Sequence, residues 1–173
     1  MDTQTIDQST FLKAVGTLMR EAYIGPDNPA GTWFTDNEGD SGILGMLERV
    51  DAERASRVIG YPEGASIASH ANHIRFALNL VNRAIRGEDV NASADWPSSW
   101  STVTVSDAEW RELKDAIKSE FDTMIATLAQ GPHWRDPMVL TATIGVVAHG
   151  AWHLGAIRQL IAVSLRFAKE ALR

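Results

Sequence analysis

The chain has 173 residues, enough for one domain with a sizeable core, and its 45% apolar and 22% charged content is ordinary for a globular protein. A net charge of −6, with no block of Lys and Arg, excludes nucleic acid as the main partner, because phosphate binding needs a clustered cationic surface. The absence of cysteine excludes disulfides, thiolate nucleophiles and Cys-based zinc sites.

The first residues, MDTQTIDQSTFLKAVG, are polar and acidic at their start and lack the basic and apolar regions of a secretory signal. No stretch reaches the roughly 20 consecutive apolar residues that span a bilayer. A cytoplasmic location and no membrane partner are therefore expected.

Helical periodicity dominates, and strand-like alternation is nearly absent. A first helix is predicted from about Asp7 to Tyr23, with Phe11, Leu12, Val15, Leu18 and Met19 on one face. It stops before a Gly/Pro/Asp/Asn-rich loop, residues 25–42, that holds Trp33 and Phe34. A short helix around Ile43–Arg49 follows, and DAERASR adds another turn or two.

The next helix runs from Ser66 to Arg86 with Ile67, Ile74, Leu78, Val81 and Ile85 as its apolar stripe, and Gly87 is placed to terminate it. Residues 88–105 form a long connection containing DWPSSW, and loops of that length in compact domains are more often functional than idle. Ser106 and Glu109 make a capping box, and the helix it starts carries Trp110, Leu113, Ile117, Phe121, Met124 and Leu128 at spacings of three and four. Gly131-Pro132 ends that helix. Asp136-Pro137 then reads as N-cap and first residue of a last helix reaching about Ala171. Four long amphipathic helices in a single domain, residues 1–173, predict an all-α four-helix bundle with long connecting loops.

Four of the five histidines fall in two helices, as His70 and His73 and as His149 and His153. At spacings of three and four, the members of each pair project from one side of their helix. Buried imidazole is costly unless its nitrogens are satisfied, and a divalent metal satisfies several at once. Internal hydrogen bonding among core histidines is the competing explanation. His133, in a GPHW turn, has no such company and reads as a loop residue.

HGAWH lacks the glutamate of the H-E-x-x-H protease motif, and the Glu-x-x-His pairs of di-iron bundles are missing too. What remains is a mononuclear, His-only set with open coordination positions. Gly145, Gly150 and Gly155 recur along the same helix at about 1 kcal/mol each against alanine, which asks for either close helix packing or ligand approach.

Two stretches resemble the DinB-like superfamily of four-helix-bundle metalloproteins. SIASHANHIRFAL, residues 66–78, is similar to the family's first-histidine helix, in which a serine precedes the ligand by seven residues and an aliphatic residue follows it, as Ser66, His73 and Ile74 do. AHGAWHLGAIRQL, residues 148–160, resembles its closing H-x-x-x-H helix, including the Gly and Arg after the second His.

The resemblance implies a divalent metal, nickel or zinc, on His73, His149 and His153. The helical wheel instead places His70 nearer the centre of the apolar stripe, so His70 stays as alternative ligand or outer partner. Ala156 stands where many members have Gln. The loop at 25–42 looks like an interruption of the family's first helix, placed to shape pocket access.

The resemblance leaves two functions open. One is a metal-dependent enzyme, a hydrolase or thiol-dependent transferase, acting on a small-molecule substrate. The other is a non-catalytic, stress-related bundle that binds metal or ligand. Trp33, Phe34, Trp96, Trp100 and Trp152 are candidates for lining a pocket, Tyr23 and Arg75 for polar contacts. The Ala/Gly-rich final helix and the aromatic loops are compatible with a homodimer.

Overall fold

A computed structural model describes residues 7–60, 62–130 and 136–170. His133, the end of the helix at Gly131-Pro132 and the expected terminus near Ala171 lie outside these. Helices begin where a side-chain oxygen can take up an otherwise unpaired backbone N–H. Asp7 accepts from the N–H of Thr10 and starts α1, Gln8–Tyr23. Two short helices follow, α2 at Ile43–Glu48 and α3 at Ala52–Ala55, the latter capped by Asp51. Ser66 caps α4, Ile67–Ile85, and Gly87 ends its last turn at φ 87°, a conformation that a side chain would strain.

Ser106 and Glu109 close the expected reciprocal cap on α5, Asp107–Ala129. Asp136 accepts from the N–H of Met138 at the start of α6, Pro137–Glu170. The described residues are all-helical apart from loops and one isolated bridge between Gly60 and Ala65.

The long helices pack in a closed ring in which α1 touches α5 and α6, and α4 touches α5 and α6. Their inward stripes form one core that includes Leu12 and Met19, Ile74 and Leu78, Ile117 and Met124, and Leu154 and Ile157. Full burial of each such side chain contributes about 1.5–3 kcal/mol. Alone among the described helices, α6 is long and apolar enough to cross a bilayer, and it packs here against α1, α2 and α4.

Two polar anchors fasten the 25–42 loop. The buried Glu21 carboxylate accepts the N–H groups of Trp33, Phe34 and Thr35 at 2.7–3.0 Å and the Thr35 hydroxyl at 3.0 Å. Burial alone would raise its pKa, but these four donors outweigh it and hold the carboxyl below its usual range. From α6, Arg158 donates to the Ser41 carbonyl at 2.9 Å and pairs with Asp36 at 3.0 Å.

The recurring glycines of α6 differ in purpose. A Cβ on Gly150 would sit 2.9 Å from the Tyr23 ring, which is fully buried and stacked on Phe121 at 5.3 Å. A Cβ on Gly155 would meet nothing within 4 Å. Gly150→Ala should therefore lower stability by about 1–2 kcal/mol through overpacking, while Gly155→Ala should raise it by up to about 1 kcal/mol through helix propensity. Urea denaturation of the two variants checks the opposite signs.

Candidate metal centre

Ser66 fixes where α4 begins, and seven residues, close to two turns, then place His73 on the side facing α6. His149 and His153 come from successive turns of α6. Each of the three presents a ring nitrogen, and these nitrogens lie within 4.8 Å of one another. His149 Nε2 and His153 Nε2 are 3.0 Å apart. Two nitrogens bound to one ion at about 2.0–2.1 Å lie roughly 2.9–3.4 Å apart, so this pair is already spaced as neighbouring ligands.

Hydrogen bonding around the group decides which nitrogens carry protons. The Ser99 hydroxyl is 2.5 Å from the Trp96 carbonyl, which can only accept, so its single proton goes there. Ser99 Oγ is also 2.6 Å from His73 Nδ1, so His73 must donate from Nδ1. That leaves the His73 Nε2 lone pair free for a ligand bond.

The Asn72 side chain donates to the Ser99 carbonyl at 2.8 Å and holds the turn in place. His153 Nδ1 lies 2.8 Å from His70 Nδ1. If His153 offers Nε2 to a metal, it must donate from Nδ1 to His70. In this arrangement His70 is the outer partner that fixes the orientation of His153, a position often filled by a carboxylate or carbonyl in metal sites.

The site is desolvated. His70 and His153 are fully buried, His73 nearly so, and His149 half-buried. Burial, with the neighbouring charges of His149 and His70, pushes the His73 pKa down to about 4. Burial lowers His149 as well. For His153, burial acts first and the charges of His149, His70 and His73 add to it, all lowering the pKa. The imidazoles are neutral at neutral pH, the form that binds metal. A donor set of uncharged imidazoles suits zinc, nickel or copper rather than calcium or magnesium.

Aromatic rings enclose the group unevenly. Trp100 stacks on His73 at 4.2 Å, and Trp96 lies 5.6 Å from the same ring. Trp152, half-exposed, packs edge-on to His153 at 4.6 Å. Trp33 and Phe34 belong to the loop anchored on Glu21, and no ring contact joins them to a histidine among the described residues. Trp33 is 73% exposed.

Tyr23 points its hydroxyl at Gly150 and finds no hydrogen-bond partner among the described residues. Arg75 donates to Asn72 at 3.1 Å, and so supports the residue that holds Ser99. The sequence reading missed Ser99. Its only signal was a place in DWPSSW, inside a loop long enough to suggest a role.

Comparison of the chain with known protein families, with curated proteins and with solved structures found no match. The functional reading therefore rests on the geometry of this site.

Two outcomes are expected. Ser99→Ala removes the acceptor that orients His73 and should weaken zinc binding about tenfold to a hundredfold, measured by competition with a chromophoric chelator. The second concerns pH. The folded-state values of His73, His149 and His153 lie below the ordinary value of 6.5, so between the two the unfolded chain binds more protons than the folded one. Metal-free protein should keep this contribution to stability above about pH 6.5 and lose it as pH falls toward 4. Thermal melts across that window check it, and a flat profile would contradict buried neutral imidazoles.

Proposed function

We propose that this chain is a DinB-like four-helix-bundle metalloprotein that holds a divalent ion, nickel or zinc, on His73, His149 and His153, and that it acts on a small molecule as a metal-dependent enzyme. The observation that carries the reading is the convergence of three imidazole nitrogens within 4.8 Å, with the His73 proton directed away from the centre by Ser99. Further support comes from the closed ring of four long helices and from the capping Ser66 seven residues before His73.

Such an ion would lower the pKa of a bound water toward about 7, or stabilise a bound thiolate. Among the described residues, no carboxylate joins the three histidines as a donor. A bound water and a bound thiolate would both be within reach of such an ion, so hydrolysis and thiol-dependent transfer are the two reactions the centre would support. Ala156, where many members of the family have Gln, removes one polar group from the ligand helix.

Purified protein should carry one zinc or nickel per chain after metal loading, measured by elemental analysis. His149→Ala and His153→Ala should abolish stoichiometric uptake. His70→Ala should retain it with weaker affinity. A free metal concentration of a hundred times Kd should stabilise the fold by about 2.7 kcal/mol. Absence of stoichiometric metal in the wild type would falsify the metal reading and leave a hydrogen-bonded histidine cluster. Turnover assays with low-molecular-weight thiols, run on loaded and chelated protein, then separate an enzyme from a binding protein.

A further inference from the structure

Below the histidines, the facing stripes of α4 and α6 carry small residues among larger aliphatic ones, Leu80, Val81 and Ile85 on α4 and Met138, Val139 and Val146 on α6. On α4, Ala77 and Ala84 follow His73 at four and eleven residues. On α6, Gly145 and Ala142 precede His149 at four and seven. All four line a cleft of about 970 Å³ that is closed on a third side by the segment from Arg86 to Trp96. Its upper end is His149, the least buried of the three histidines and the one of them that lines the cleft. From His149 to Met138, which also lines it, α6 advances about 16 Å at 1.5 Å per residue. A Cβ on Gly145 would meet nothing within 4 Å, so the space beside this glycine is unfilled by the protein's own side chains.

Ala77 is buried, Ala84 and Ala142 are half-buried and Gly145 is exposed, so the cleft opens to solvent along one side. Between the ends its walls are mainly aliphatic, with Asn91 on the third side. The volume falls within the usual range for small-molecule sites, roughly 300–1,000 Å³.

The two ends differ in charge. Three neutral imidazoles leave a divalent ion's charge uncompensated, which favours an anionic group at the His149 end. The far end is rimmed by exposed Glu88, Asp89 and Asp136, with Arg83 and Arg86 both paired to Glu88 at 2.7 and 2.9 Å, so three carboxylates face two cations. A second anionic group is disfavoured there.

We infer that the cleft is the substrate channel of the metal centre, and that its ligand is a medium-length, uncharged alkyl chain bearing one anionic, metal-binding head, a carboxylate or thiolate. The inference rests on the metal reading above and adds the class of molecule that the site takes.

Zinc-loaded full-length protein titrated by calorimetry with aceto-, hexano- and octanohydroxamate provides the test. Affinity should rise about fourfold for each buried methylene, so the six additional methylenes of octanohydroxamate should give it an advantage of roughly four-thousandfold over acetohydroxamate when all are buried. Octanedioic acid monohydroxamate, with a carboxylate at its far end, should bind at least tenfold more weakly than octanohydroxamate. Ala84→Trp, and separately Ala142→Phe, should reduce octanohydroxamate affinity to near that of acetohydroxamate. Zinc stoichiometry, measured in each variant, reports that fold and ligands are intact. One zinc per chain with affinity independent of chain length, or a chain-length dependence unchanged in both variants, would overturn the channel while sparing the metal reading. No zinc uptake by the wild type would overturn both.

Discussion

Four imidazoles crowded together out of water cannot all carry charge, and this constraint organises the centre of the molecule. Neutral histidine has one donor and one acceptor, so each ring must send its proton in a particular direction. Ser99 directs the proton of His73 outward because its own proton is committed to the Trp96 carbonyl. His70 stands where the outward nitrogen of His153 can be satisfied. Neither outer partner is a carboxylate. The three converging histidines and their supports are thus all uncharged, and charge balance at any ion they held would fall to whatever else bound it.

The rest of the fold keeps those rings in place. Two of the three converging histidines share α6, so their relative position is set by one turn of helix and needs no tertiary contact. The third depends on how α4 meets α6, and α4 is fixed at its start by the Ser66 cap, whose hydroxyl also donates to the Val103 carbonyl at 2.6 Å. Gly150 lets the Tyr23 ring of α1 approach α6 directly. Further along α6, Arg158 ties the same helix to the 25–42 loop. Asn79 and Asn82 reach across to Glu120, at 2.8 Å each, and hold α4 against α5.

What could be read from the sequence follows the range of the interactions involved. Helix starts and ends at Asp7, Gly87 and Ser106 are local, encoded within a few residues, and were legible. So was the projection of His149 and His153 from one face. The relation of His70 to His73 was harder, because both face α6 and the apolar stripe favoured His70. In the folded chain His70 lies against the outward nitrogen of His153, while His73 belongs to the convergent group.

Ser99 could not be anticipated from its neighbours. Its role exists only because residues 88–105 fold back across α4, a docking encoded in scattered contacts such as Asn72 to the Ser99 carbonyl. The same limit separates the tryptophans. Trp96 and Trp100 ride on that segment and reach His73, whereas Trp33 rides on a loop fastened elsewhere by Glu21. The cleft was equally hidden, since small residues on two distant helices enclose space only once the helices face each other.

The segment from Arg86 to Ser99 serves two neighbours with one strip of backbone. Its first part walls the cleft through Val90, Ala94 and Trp96, and its last turn presses Ser99 against His73. Trp96 takes part in both, lining the cleft and offering its carbonyl to Ser99. Cleft width and the orientation of His73 are therefore not independent variables. A shift of the Trp96 backbone that widens the cleft also moves the carbonyl that receives the Ser99 proton, and with it the acceptor that keeps the His73 proton out of the centre.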